Sequence, residues 1–100
     1  MAISIKWSPE AVEDLESIAT YIARDSQFYA NAVTTKIIRQ ADKIIEQPLA
    51  GRKVSELNDE SIREYFIYSY RMIYKITETS LIIVAIIHGK RMLENIPNRF

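Results

Sequence analysis

One hundred residues suffice for one domain (1–100) with one modest core, and 48% hydrophobic residues with only two glycines exclude an intrinsically disordered chain. Thirteen basic residues balance thirteen acidic ones, which removes any general electrostatic drive toward nucleic acid. The absence of cysteine excludes disulfides, thiolate nucleophiles and Cys-ligated metals, and a single histidine argues against a His-ligated one, so no metal or cofactor is expected. The opening MAISIKWSP has no apolar signal core and no window approaches a transmembrane helix, so the expected location is the cytoplasm.

In chain order, Ile3, Ile5 and Trp7 alternate with polar residues and predict a short first strand with one buried face. Ser8-Pro9 follows, a serine suited to the N-cap and a proline suited to the first helical position. Glu10, Glu13 and Asp14 sit where the helix dipole favours acids, and Val12, Leu15, Ile18, Ala19 and Ile22 recur at helical spacing, predicting a helix from Pro9 to about Arg24. Asp25-Ser26 interrupts it and offers a second N-cap. Ala30, Val33, Ile37, Ala41, Ile44 and Ile45 form the next stripe, which Pro48 ends, so the second helix spans about Gln27 to Glu46. The short break implies an antiparallel helical hairpin. Leu49 to Ser61 is polar and reads as a loop or irregular crossing segment.

Ile62 to Arg91 holds three runs rich in Ile, Val, Tyr and Phe, broken at Tyr68-Ser69 and Thr77-Glu78-Thr79-Ser80. Connections this short suit an antiparallel meander of Ile62–Ile67, Tyr70–Ile76 and Leu81–Ile87. A two-residue turn at Tyr68-Ser69 would pair Ile67 with Tyr70, Phe66 with Arg71, Tyr65 with Met72 and Glu64 with Ile73. One face then carries Tyr65, Ile67, Tyr70, Met72, Tyr74 and Ile76, as a core should. The other carries Ile62, Glu64, Phe66, Arg71, Ile73 and Lys75. Leu81–Ile87 is apolar on both faces and needs cover on both. The chain is therefore α+β, with an N-terminal strand, an antiparallel two-helix hairpin and a three-stranded antiparallel meander in a four-stranded sheet. The hairpin can cover one face only, so Ile62, Phe66 and Ile73 are expected to be uncovered and to form a partner surface. Met92 to Phe100 contains Pro97 and reads as a partly ordered tail.

Leu15…Ile18-Ala19…Tyr21-Ile22-Ala23, Pro48…Gly51-Arg52, Ile62-Arg63-Glu64, Tyr70-Arg71…Ile73-Tyr74 and His88-Gly89-Lys90-Arg91 together resemble the RelE/ParE superfamily of bacterial toxins. The resemblance implies the toxin of a type II toxin-antitoxin system, neutralised by an antitoxin that itself binds operator DNA. RelE-like members cut messenger RNA on the ribosome, and ParE-like members poison DNA gyrase and block replication. Metal-free RNA cleavage needs groups that activate the 2′-hydroxyl, stabilise the phosphorane and protonate the leaving oxygen. RelE-like enzymes resemble this chain at Arg71 and Arg91, but they commonly carry lysines where it has Ile62 and Glu64. They also place a tyrosine or histidine in the C-terminal segment, and Met92 to Phe100 has neither. The wording at Gly51-Arg52, Ile62-Arg63-Glu64 and His88-Gly89-Lys90-Arg91 is closer to ParE.

The resemblance thus implies a gyrase inhibitor without catalytic residues, paired with a ParD-like antitoxin. The alternatives are a ribosome-dependent ribonuclease and a relic that only binds antitoxin. Arg63, Arg71, His88 and Arg91 are the candidates for target inhibition. Ile62, Phe66, Ile73, Lys75 and Arg52 are the candidates for antitoxin contact. Each has a plainer reading. Arg71 is a solvated strand residue on that view, Arg63 is bonded to the Asn58-Asp59-Glu60 loop, His88 is a strand end with no carboxylate or lysine beside it, and Lys90-Arg91 is a solubilising terminus.

Overall fold

A computed structural model of the protein describes residues 4–89, so Ile3, Arg91 and the tail 92–100 lie outside the described residues. Strand β1 (Ser4–Trp7) leads into helix α1 (Pro9–Ala23), and Ser8 makes the corner. Its Oγ accepts the Ala11 N–H at 3.1 Å, and Pro9 fills the first turn, where no N–H partner is needed. Ser26 repeats the device for α2 (Gln27–Ile44) by accepting the Tyr29 N–H at 3.0 Å. Ala30, Val33, Ile37, Ala41 and Ile44 recur on one side of α2 and are all buried. The two helices pack on each other and on the sheet, where Met72, Tyr74, Leu81, Ile83 and Ile86 complete the larger core.

The sheet has five strands, not four, in the order β1-β5-β4-β3-β2. β3 (Ile62–Ile67), β4 (Tyr70–Ile76) and β5 (Ser80–His88) are the expected meander, and β3 pairs with β4 in the register that the Tyr68-Ser69 turn implies. That turn lacks glycine or asparagine, and Tyr68 meets its geometry by adopting φ 54°. β1 lies parallel to β5 at one edge. The added strand is β2 (Arg52–Lys53), two residues within the segment read as a loop, which pairs antiparallel with β3.

A bulge in β5 has no counterpart in the sequence reading. Ile73 pairs with Ala85 and Tyr74 with Ile83, so Val84 is an extra residue. Strict alternation would put Ile86 on the side of Ile82 and Val84. The bulge resets the phase, so Leu81, Ile83 and Ile86 reach the helix-side core while Val84, Ala85 and Ile87 reach the opposite side. β1 stops at Trp7, opposite Ile83, and beyond it the edge of β5 meets α1. There Asp14 accepts the Ile86 N–H on Oδ2 at 3.0 Å, satisfying a donor that has no strand neighbour.

The expectation of an uncovered second face is corrected. Ile62 is 3% exposed and Ile73 is fully buried. They form a second core with Val54, Val84, Ala85 and Ile87, flanked by Leu57 and Ile82. The cover is the chain's own segment 52–61, which β2 ties to the edge of β3 and which drops Val54 and Leu57 onto the sheet. Phe66 alone of the three stays open, at 44% exposure.

Tyr74 anchors the segment from the other side. Its hydroxyl donates to the Pro48 carbonyl at 2.7 Å and accepts the Gly51 N–H at 3.0 Å. A Cβ on Gly51 would overlap that hydroxyl and lie 2.7 Å from the Glu64 carbonyl oxygen, so only glycine fits. Gly51→Ala should therefore cost about 1–3 kcal/mol in urea unfolding. Tyr74→Phe, which strands the buried Gly51 N–H, should cost about 1–3 kcal/mol. The double variant should fall short of the sum, because removing the hydroxyl makes room for the methyl.

Candidate functional site

Antiparallel pairing of Glu64 with Ile73 and of Phe66 with Arg71 makes Glu64 and Arg71 diagonal neighbours on the second face. Two charges there would be costly to bury unless paired, and they are paired. The Arg71 side chain is 6% exposed and that of Glu64 2%. Arg71 donates from Nε to Glu64 Oε1 at 2.7 Å, and its Nη2 lies 2.6 Å from the same oxygen. Glu56, from the covering segment, closes the guanidinium with two bonds of 2.9 and 3.0 Å. Glu64 Oε2 accepts Arg52 Nε at 3.0 Å across the β2–β3 pair. The hydrogen bond from Arg71 holds the Glu56 carboxyl below its ordinary value, against the opposing effect of burial. The bonds from Glu56 lead in raising Arg71 above the ordinary arginine value, so it stays charged at every working pH. The view of Arg71 as a solvated strand residue is corrected, since its guanidinium is held by two carboxylates of the chain itself, Glu56 and Glu64.

Of the remaining candidates, Arg52 and Phe66 border this clamp, while Arg63 and Lys75 lie toward the start of β3 and the end of β4. The Arg52 guanidinium lies over the Phe66 ring at 4.7 Å, and the two form an exposed cation–aromatic rim. Gly89 closes the end of β5 by donating its N–H to the Ser69 carbonyl at 2.7 Å, with Phe66 alongside. Arg63 donates Nε to the Glu60 carbonyl at 3.0 Å and Nη1 to the Gly51 carbonyl at 3.4 Å, bracing the covering segment as its plainer reading expected. Lys75 is half-buried on β4 opposite Ile62, near enough to Asp59 to act on its carboxyl. That carboxyl is held low mainly by the Ser61 hydroxyl. Arg91 lies outside the described residues.

His88 stands apart from the clamp. It meets Tyr70 edge-on, with ring centroids 6.0 Å apart, in a groove of about 400 Å³ that Asp14 and Tyr21 of α1 also line. The sequence reading assigned His88 no carboxylate neighbour. Asp14 is 74 positions away in the chain, and only the docking of α1 beside β5 brings it there. Burial in this cluster pushes the Tyr70 phenol up. Among the described residues there is no group of three or more side chains able to hold a metal ion.

The clamp defines two stability tests. Arg71→Ala leaves the buried Glu64 carboxylate with only the exposed Arg52 as partner and should cost about 3 kcal/mol in chemical denaturation. Glu56→Gln should cost roughly 1 kcal/mol near neutral pH, since its carboxylate is part-exposed. The Glu56 contribution is complete above its ordinary value of 4.5 and is lost as pH falls through its lower folded value. Acid titration of thermal stability should therefore show a loss below about pH 4.5 that shrinks in Glu56→Gln.

Residues 5–93 match the family model for the ParE toxin of the type II toxin-antitoxin system, parDE. No curated protein matches the chain. Among solved structures, the chromosomal ParDE system from P. aeruginosa superposes with a TM-score of 0.74 at 16% identity, over 89% of this chain and 98% of that one. The RelBE2 toxin-antitoxin complex from Mycobacterium tuberculosis gives 0.63 at 16% identity, over 88% and 99%. A free E. coli RelE mutant gives 0.64 at 14% identity, over 90% and 86%. At these identities the structural likeness establishes the fold, while the family match spans most of the chain. With that match and the α+β architecture together, the chain belongs to the ParE toxins of type II toxin-antitoxin systems, within the RelE/ParE superfamily.

Proposed function

We propose that this toxin acts without catalysis, by inhibiting DNA gyrase and so blocking replication, and that a ParD-like antitoxin neutralises it in the cytoplasm. The observation that carries this reading is the Arg71 clamp. A ribonuclease of the RelE type needs free cations to hold the scissile phosphate and its developing charge. Here Arg71 is occupied by Glu56 and Glu64, and Ile62 and Glu64 stand where such enzymes carry lysines. The structural neighbours described as a ParDE system and a RelBE2 complex support an antitoxin partner. With Ile62 and Ile73 buried, the antitoxin contact falls to Phe66 and Arg52 at the rim, with Lys75 a separate contact toward the far end of β4. Operator DNA would be reached only through the antitoxin.

One observation favours the ribonuclease as a second reading, namely the groove that gathers His88, Tyr70 and Asp14. Purified toxin should abolish supercoiling by gyrase while leaving mRNA on programmed ribosomes intact. Codon-positioned cleavage that disappears in His88→Ala would reverse the assignment. Phe66→Asp should weaken antitoxin binding at least about tenfold without unfolding the toxin, because the ring is an exposed apolar anchor. Unchanged affinity would move the contact elsewhere.

A further inference from the structure

The chain is neutral overall, but its charge is sorted by sign between the two helices. α1 carries Glu10, Glu13, Asp14 and Glu16 and no Lys or Arg, while α2 carries Lys36, Arg39 and Lys43 against one acid, Asp42. On the loop-covered face, Arg52, Lys53 and Arg71 each pair with a carboxylate. Lys36, Arg39 and Lys43 are exposed and make no ion pair among the described residues; Lys36 lies 5.1 Å over the ring of Tyr68. They line a groove of about 700 Å³ on α2 together with Phe28, which at 85% exposure is the most open large hydrophobic among the described residues. A second groove on α1 is lined by Glu13 and Glu16 with Tyr21, 68% exposed, and by Arg24 at the helix end, whose guanidinium lies 6.0 Å over the Tyr21 ring, so two acids outweigh one base there. Each groove thus has a predominant sign of charge beside an uncovered aromatic ring, basic with Phe28 on α2 and acidic with Tyr21 on α1.

We propose that the basic groove on α2 receives α1 of a second copy of this chain, forming a hairpin-on-hairpin dimer. The spacing agrees. Lys36 to Lys43 spans about 10 Å and Glu10 to Glu16 about 9 Å at 1.5 Å per residue. The two helices are packed side by side in each copy, so a twofold axis that lays α1 on the partner's α2 lays α2 on the partner's α1 in the same movement. Both contacts form at once and the assembly closes at two. Phe28 and Tyr21 supply the apolar area that exposed ion pairs alone do not. The surface is separate from Phe66 and Arg52, so the dimer stands or falls independently of the proposed antitoxin contact.

The test is sedimentation velocity on the isolated toxin over a range of concentrations. The expected result is a monomer–dimer equilibrium that stops at two and weakens about tenfold or more between low and high salt. Lys36→Glu/Arg39→Glu and Glu13→Lys/Glu16→Lys should each lose self-association at least about tenfold, since like charges then face each other. Circular dichroism should show both folded. Should either reversal unfold, Lys36→Gln/Arg39→Gln replaces it and should weaken the dimer in the same direction. An equimolar mixture of the two reversed variants should recover dimer, because each contact then joins opposite signs again. A wild type monomeric at every concentration, reversed variants that dimerise like wild type, or a mixture that stays monomeric would each overturn the proposal. So would a monomeric wild type that binds a labelled single-stranded oligonucleotide through Lys36 and Arg39, which would give the groove to a nucleic acid.

Discussion

A guanidinium buried in a sheet face imposes conditions on everything around it. Arg71 is held on β4 by backbone pairing on both sides and has almost no access to water. Its charge must be met within the chain. The β3–β4 register supplies Glu64, but one carboxylate leaves the far side of the fork open. Glu56 completes it, and Glu56 can reach only if segment 52–61 folds back over the sheet. That return drops Val54 and Leu57 onto Ile62 and Ile73 and so creates the second core. The ion network and the apolar cover are therefore one construction. Either alone would leave the other exposed to water or unpaired.

This coupling explains which parts of the fold were legible in the sequence. The helices could be read because Ala30, Val33, Ile37, Ala41 and Ile44 recur at helical spacing, and because Ser8 and Ser26 are cap residues acting on neighbours three positions away. The meander and its register could be read because a two-residue turn determines pairing locally. Closure of the second face depends on contacts between residues far apart in sequence, such as Glu56 with Arg71 and Val54 with Ile73. The segment that makes them is polar, with only Val54 and Leu57 as apolar anchors, and its strand is two residues long, too short for any periodicity. The Val84 bulge was hidden for a different reason. In a run apolar on both faces, a shift of one residue changes no hydrophobic pattern.

The candidate site divides along the same line. Phe66 shares the face of Ile62 and Glu64 but stays exposed because the cover lies over Ile62 and Ile73, and Arg52 stays exposed at the edge strand β2. Arg71 was placed on the right face but assigned the wrong surroundings, because a strand pattern tells which side a residue takes and not what lies over that side. Asp14, which lines the groove with His88, sits in the first turns of α1, where an acid is fully explained by the helix dipole. Nothing in its local sequence marks it as a residue that also terminates a strand edge.

That second role of Asp14 bears on how a partner can attach. An open strand edge is a template for adding another chain, and β5 has one beyond the end of β1. With the Ile86 N–H already given to Asp14, an incoming strand would have to displace a carboxylate from a charge-assisted bond before forming its own. On the second face, an incoming helix would have to lift Val54 and Leu57 and break the Arg71–Glu56 fork together. Both routes cost more than contact with groups already at the surface. The accessible apolar groups beside charge include Phe66 under Arg52, Tyr68 under Lys36, Tyr21 beside Glu13 and Glu16, and Phe28 beside Lys36 and Arg39. Recognition of this toxin is therefore weighted toward side-chain contacts at its rim and helix faces rather than extension of its sheet.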